Sequence, residues 1–190
     1  MKILIACEYS GVVREAFRAK GHNAVSCDLL PTDIPGPHIQ GNVLDVLEDG
    51  WDMMIAHPPC THLAVSGAAW FKNKQVEQAA ALRFVRYLLT CDIPKICLEN
   101  PVSVISTKIR KPDQIIHPYM FGHPERKTTC LWLKGLPKLI ATNDVKEEML
   151  KLPANKQGRL HYLPPGPDRW KERSKTFQGI ADAMAEQWNY

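Results

Sequence analysis

The sequence predicts an α/β fold with a doubly wound, mostly parallel sheet and helices on both faces. Three observations carry that expectation. Short apolar runs recur along the first hundred residues, at Lys2–Cys7, Asn23–Cys27, Asp52–Ala56 and Lys95–Leu98. Segments with helical spacing lie between some of these runs, and strands alternating with helices build parallel sheets from βαβ units. Polar, chemically capable residues follow directly on the apolar runs: Asp28 after the second, His57 to His62 after the third, Glu99 after the fourth. In open α/β sheets the carboxyl ends of the strands are where ligands bind.

The elements follow in order. Lys2 to Cys7, rich in Ile and Leu, reads as the first strand. Glu8-Tyr9-Ser10-Gly11 is a turn, and Ser10 is the expected N-cap of a helix running to Lys20. Val12, Val13, Ala16 and Phe17 share one face of that helix, and Gly21 suits its end. Asn23 to Cys27 is the second strand, followed by a Pro-rich loop from Leu30 to His38. A third strand is expected to end in the segment from Gly41-Asn42-Val43 to Asp45. Met53-Met54-Ile55-Ala56 is a buried fourth strand.

Asn73 to Thr90 spaces Val76, Ala80, Phe84 and Leu88 four apart, which predicts a long helix. Beyond residue 101 the pattern loosens. A strand is expected at Thr129 to Leu133, and a helix at Asp144 to Lys151 lies within a long excursion rich in Pro and Lys. A closing helix from Phe177 to Trp188 would bury Ile180, Met184 and Trp188. At 190 residues the chain fits one domain, 1–190, with an irregular basic excursion at about 136–173.

Composition narrows the function classes. The chain is 45% hydrophobic and 23% charged, enough apolar residues to bury a core. No apolar run reaches membrane-spanning length, and the N-terminal stretch is too short for a signal peptide, so a cytoplasmic protein without a membrane partner is expected. None of the six cysteines forms a Cys-x-x-Cys pair, which argues for free thiols in a reducing compartment. His57, Cys60 and His62 lack the distant Cys or His pair that would complete a tetrahedral zinc set, and no metal is expected. There is no Gly-x-Gly-x-x-Gly and no P-loop. The net charge of +4 is mild. Its distribution is more informative, because Arg159, Arg169, Lys171, Arg173 and Lys175 are interleaved with His161, Tyr162 and Trp170. Basic groups beside aromatic faces suit phosphate contact and base stacking, although a solvated basic tail has the same composition.

Two residues propose chemistry. Cys60 stands on a loop stiffened by Pro58 and Pro59 at a strand end, as a nucleophile would, or else packs as a small hydrophobe. Glu99 ends the neighbouring strand, so a thiol and a carboxyl face one crevice. A thiolate adds to an electron-poor ring carbon, and a carboxyl protonates or hydrogen-bonds the ring nitrogen where charge develops. Arg126, Lys127 or a protonated His would supply the cation a thiolate needs. At the other end of the crevice, a turn containing Gly11 and a carboxylate at Asp28 suit a nucleoside-bearing cofactor, the glycine by close approach and the carboxylate by accepting from ribose hydroxyls.

The order Ser10-Gly11, Asp28, Gly41-Asn42-Val43, Pro59-Cys60 with Ser66-Gly67, Glu99-Asn100-Pro101, and Phe121-Gly122-His123-Pro124-Glu125-Arg126-Lys127 resembles the motif series of the cytosine-C5 DNA methyltransferases. Phe177-Gln178-Gly179-Ile180-Ala181-Asp182-Ala183-Met184 resembles their closing motif. The resemblance spans roughly 1–133 and 174–188, and it implies the Rossmann-like class I methyltransferase fold. It further implies that Cys60 attacks C6 of cytosine, that Glu99 engages N3 and the exocyclic amine, and that C5 takes a methyl group from S-adenosyl-L-methionine. Arg126 and Lys127 would support the catalytic loop. Cys7, Glu8, Ser10, Gly11, Asp28, Leu29, Asn42 and Pro58 would line the cofactor site, and Arg159, Arg169, Lys171 and Arg173 would contact nucleic acid.

The chain also departs from the family. Asn42 stands where an acidic residue is usual, Pro101 replaces Val in Glu-Asn-Val, and Glu125-Arg126-Lys127-Thr128-Thr129 stands for Gln-x-Arg-x-Arg. Too few residues separate the Trp132 strand from the closing motif to hold the family's target-recognition domain. The resemblance therefore leaves three expectations: methylation of DNA with short or relaxed specificity, the same chemistry on a deoxycytidine nucleotide or single strand, or an inactive binding module. A homodimer or an unknown protein partner could complete a DNA surface.

Overall fold

The computed structural model describes residues 1–190, the side chains of Ala69 and Trp70 excepted. Its core is one seven-stranded sheet in the order β3-β2-β1-β4-β5-β7-β6. The strands are β1 (Lys2–Ala6), β2 (Asn23–Asp28), β3 (His38–Gln40), β4 (Met53–Ala56), β5 (Lys95–Pro101), β6 (Gln114–Ile116) and β7 (Thr129–Lys134). The first five are mutually parallel, whereas β7 runs antiparallel between β5 and β6. The strand order reverses at β1, where β2 lies on one side and β4 on the other, and this switch point opens a crevice at the carboxyl ends. The fold is a Rossmann-like, doubly wound α/β arrangement.

Strand periodicity explains the layering. Ile3 and Ile5 point to one face with Met53 and Ile55, and Leu4 and Ala6 point to the other with Met54 and Ala56, all of them fully buried. A strand covered on both faces reads as continuous apolar sequence, as these do. Helices α1 (Val12–Ala19) and α7 (Gln178–Gln187) cover the first face through Val13, Phe17, Ile180 and Met184. Helices α2 (Gln75–Thr90) and α3 (Ile105–Lys108) cover the second through Val85, Leu88 and Ile105. Trp188 is fully buried, and its indole N–H donates to the Pro137 carbonyl at 3.0 Å, which satisfies the one polar atom the ring carries inside. Among the described residues no helix is long and apolar enough to cross a membrane.

Several expectations change in detail. The third strand ends at Gln40, and Val43–Asp45 forms a 3-10 turn instead, because the Asn42 side chain accepts the Leu44 N–H and bends the chain. Helix α1 starts at Val12 after Gly11 in the left-handed region (φ 79°). Ser10 does not cap it alone: Glu8 accepts the Val13 and Arg14 N–H groups and the Ser10 hydroxyl. Helix α2 turns Val76 to solvent (79% exposed) and buries the stripe through Val85 and Leu88, so the four-residue spacing named the helix but not its face. Strand β5 continues through Glu99 and Asn100 to Pro101, held by β7. Strand β6 has no counterpart among the expected elements, since three residues after a proline give too short a period to read. Within the excursion lie α4 (Lys146–Lys151), α5 (Ala154–Gln157) and α6 (Arg169–Ser174).

Candidate active site

The Cys60 loop leaves β4 under tight backbone control. The His57 N–H still bonds the Ala6 carbonyl, extending the β1–β4 ladder by one residue. Pro58 is buried, and its carbonyl accepts the Asn100 side-chain amide at 2.9 Å. The Cys60 carbonyl then accepts the Leu63 and Ala64 N–H groups, closing a turn, and Val65 bonds Val102 just beyond β5. Cys60 itself is exposed at the rim of the crevice. The loop is thus fastened to β5 and its extension on both sides of the thiol.

Glu99 lies on β5 opposite Leu131 of β7, with 14% of its side chain accessible. Its Oε2 lies 3.2 Å from His57 Nδ1. Burial alone would raise the Glu99 carboxyl, but the His57 hydrogen bond and the charge of Lys127 outweigh it and hold the group below its ordinary value. The Cys60 thiol is pushed up, first by desolvation and then by the Glu99 charge, while Lys127 and Arg173 pull against that rise. Thiol, carboxyl, imidazole and two cations therefore belong to one electrostatic unit.

Lys127 is placed there by the chain that follows it in space. Its Nζ donates to the Arg173 carbonyl at 3.0 Å and the Lys175 carbonyl at 3.5 Å. Arg126 is exposed instead and donates to the Gln157 side chain at 3.2 Å, away from Cys60 and Glu99. Glu125 is buried, accepting the Leu160 N–H and lying 3.5 Å from Arg159.

On the opposite side of the switch point, the residues expected to hold a cofactor gather at the ends of β1, β2 and β3, except Pro58, which lies on the Cys60 loop after β4. Cys7 follows β1 in the left-handed region (φ 58°), unusual for a residue with a side chain, and Gly11 closes the same turn. Asp28 ends β2: its Oδ1 accepts the Leu30 N–H at 2.9 Å, and its Oδ2 has no hydrogen-bond partner among the described residues. Beside it, Leu29 is 72% exposed. Asn42 uses its Oδ1 to accept the Leu44 N–H. Glu8 behaves differently, since both carboxylate oxygens cap α1. An acceptor at the strand end, an exposed apolar side chain beside it and a turn with a glycine in the left-handed region fit a nucleoside-bearing cofactor.

The basic segment is not a loose tail. Trp170 of α6 packs on Tyr9 with ring centres 5.9 Å apart, and the Tyr9 hydroxyl donates to the Lys171 carbonyl at 2.9 Å. Lys175 pairs with Asp33 at 3.1 Å. Arg159 meets Glu125, Arg169 donates to the His161 carbonyl, and Lys171 lies 3.6 Å from Asp168. Helix α6 thus joins the turn after β1 to the Lys127 side of the crevice. Sequence reasoning missed this role of Tyr9, and gave His57 and Asn100 no part in positioning. A histidine and an asparagine at the ends of adjacent strands were the available signal.

No protein-family model matches the chain, and no curated protein matches it. Among solved structures it resembles an E. coli prophage-encoded protein described provisionally as a DNA modification methyltransferase, at 15% identity and a TM-score of 0.46, over 80% of this chain and 55% of that one. The chain spans about half the length of that protein.

Proposed function

We propose that this chain, acting as a single unit with the segment 136–173 in place of a recognition domain, methylates C5 of cytosine in DNA through a covalent adduct between Cys60 and C6. The observation that carries this reading is the pairing of an exposed thiol, Cys60, on the loop after β4 with the Glu99 carboxyl on the adjacent parallel strand β5, the loop being tied to that strand by Asn100. The cofactor, S-adenosyl-L-methionine, would supply an electrophilic methyl group when bound. Asp28, Leu29 and Asn42 would hold its nucleoside part, and Cys7, Ser10, Gly11 and Pro58 would shape the backbone around it.

The Cys60 thiolate adds to C6 of the ring, and the ring electrons shift through C5 and C4 onto N3. Glu99 donates a proton to N3 and binds the exocyclic amine, so the negative charge does not build up on the base. C5, now electron-rich, takes the methyl group. A base removes the C5 proton, the bond between sulfur and C6 breaks, and N3 returns its proton. Lys127 and Arg173 favour the thiolate in the first step and receive it in the last. In a duplex the target base must first leave the stack.

Radiolabelled methyl transfer, run in parallel on mixed-sequence duplex DNA, single-stranded DNA and dCMP, tests the proposal and identifies the substrate class. Label is expected in DNA and absent with Cys60→Ser, while cofactor binding persists in that variant. Label in dCMP alone would move the substrate to a free nucleotide. Turnover by Cys60→Ser would remove Cys60 as the nucleophile.

A further inference from the structure

The imidazole of His57 is the best-placed group that the proposed reaction does not use. Its side chain is 9% exposed, and it stands one residue beyond β4, directly across from β5. Nδ1 meets Glu99 Oε2 at 3.2 Å. Nε2 is buried and has no hydrogen-bond partner among the described residues. Glu99 Oε1 likewise has no partner among them, so one oxygen of the carboxyl is held and the other faces the crevice. An unpartnered polar atom inside a protein is costly unless something occupies it, and a ring nitrogen at an active site is filled by water or substrate.

We infer that His57 is the positioning residue for Glu99, and that the proton shared between Nδ1 and Oε2 is the one Glu99 hands to the cytosine ring. This rests on the cytosine reading above. A carboxyl that must protonate N3 has to contain a proton when Cys60 adds, yet it sits beside Lys127, which favours its ionised form. An imidazolium beside the carboxylate resolves the conflict. As sulfur bonds C6 and electrons arrive at N3, His57 Nδ1 gives its proton to the Glu99 carboxylate, which passes it to N3 and is left ionised again. On elimination N3 gives its proton back, Glu99 passes it to His57, and both groups are restored. No oxidant or reductant is needed. An imidazole both takes up and gives up a proton at its ring nitrogens, which suits a reversible proton store. The other ionisable groups around the pair are Cys60 on its loop, Cys97 on β5, Cys130 on β7, Lys127 before β7 and Arg173 on α6.

Two substitutions separate orientation from proton supply. In His57→Asn the amide places a donor where Nδ1 stands but carries no titrating proton. In His57→Leu the donor is lost as well. Methyl transfer is measured against pH in both, and the Glu99 carboxyl is titrated by carbon-13 NMR, its resonance identified by its loss in Glu99→Gln. His57→Asn is expected to lower kcat by about tenfold or more above neutrality, with KM little changed, and to move the pH optimum toward acid. His57→Leu is expected to move the Glu99 titration to higher pH. A wild-type pH profile in His57→Asn would overturn the proton role. An unmoved carboxyl titration in His57→Leu would overturn the pairing. If the wild-type protein labels none of the three substrates, the cytosine reading fails, and the carboxyl titration still decides whether His57 governs Glu99.

Discussion

Asn100 on β5 donates its side-chain amide to the carbonyl of Pro58, so the strand that bears Glu99 also sets the height of the loop that bears Cys60. Both partners are buried. Replacing Asn100 by Ala leaves the Pro58 carbonyl without a donor, at a cost of about 1–3 kcal/mol in stability. It also frees the thiol to move relative to the carboxyl, and small misplacements are expensive in rate. Asn100→Ala is therefore expected to lower the urea midpoint and to lower kcat for methyl transfer. Unfolding curves and initial rates check this. A variant with unchanged midpoint and rate would show that the contact holds nothing in place.

The electrostatics of Cys60 give a prediction that needs no substrate. Desolvation and the Glu99 charge raise the thiol, and Lys127 and Arg173 oppose them. Below its raised ionisation the thiolate fraction is smaller than in free cysteine, and it grows as pH rises. Iodoacetamide alkylation of Cys60, followed by peptide mass spectrometry, should therefore be slow near pH 7 and accelerate into the alkaline range. Glu99→Gln removes a negative charge and should speed alkylation at pH 8. Lys127→Met removes a positive one and should slow it. The opposite order of the two variants would mean that neither charge governs the thiol.

The parts of the molecule that were legible in the sequence are those where local pattern and tertiary role coincide. Met53-Met54-Ile55-Ala56 reads as a buried strand because it is covered on both faces, and Cys60 after β4 and Glu99 near the end of β5 stand where those strands define the crevice. The closing helix shows Ile180 and Met184 at spacing four, and both are buried. What escaped reading depends on partners distant in the chain. His57 and Glu99 are 42 residues apart, and Tyr9 and Lys171 are 162 apart, so no local period encodes either contact. The cap of α1 was misplaced for a different reason. Ser10 has the right residue type, but Glu8 reaches two helix N–H groups with one carboxylate and competes successfully.

Gly179 shows how the closing motif is seated. A Cβ built there would lie 2.0 Å from the Phe121 carbonyl oxygen, and the Gly179 N–H donates to His123 Nε2 at 2.9 Å. The neighbour is backbone and has no rotamer to adopt, so any side chain pushes α7 off the Phe121–His123 segment. Gly179→Ala is expected to cost about 1–3 kcal/mol, the range for forcing a methyl into a packed site. Thermal unfolding measures it. Because α7 also packs on α1, the loss should appear as global destabilisation rather than as a local change at Cys60. A variant as stable as the wild type would mean that α7 is not seated against Phe121.

Alkaline conditions should unfold the protein earlier than its sheet would suggest, and Cys7 is a principal cause. Burial, then the Asp28 charge, pushes the Cys7 thiol up to about 12, and the same two influences push Cys27 up to about 11. In the unfolded chain a cysteine ionises near pH 8.5. Above that pH the unfolded state has released protons that the folded state still holds. Stability therefore falls as pH rises, by up to about 1.4 kcal/mol per pH unit for each such thiol. The loss begins near the unfolded value and ends at about 11 for Cys27 and about 12 for Cys7. Urea midpoints measured from pH 8 to 10 under reducing conditions should decline, and Cys7→Ala should decline less steeply. Equal slopes for the two proteins would show that the Cys7 thiol ionises in the folded state as readily as in the unfolded chain, which its position between β1 and the Asp28 carboxylate makes unfavourable.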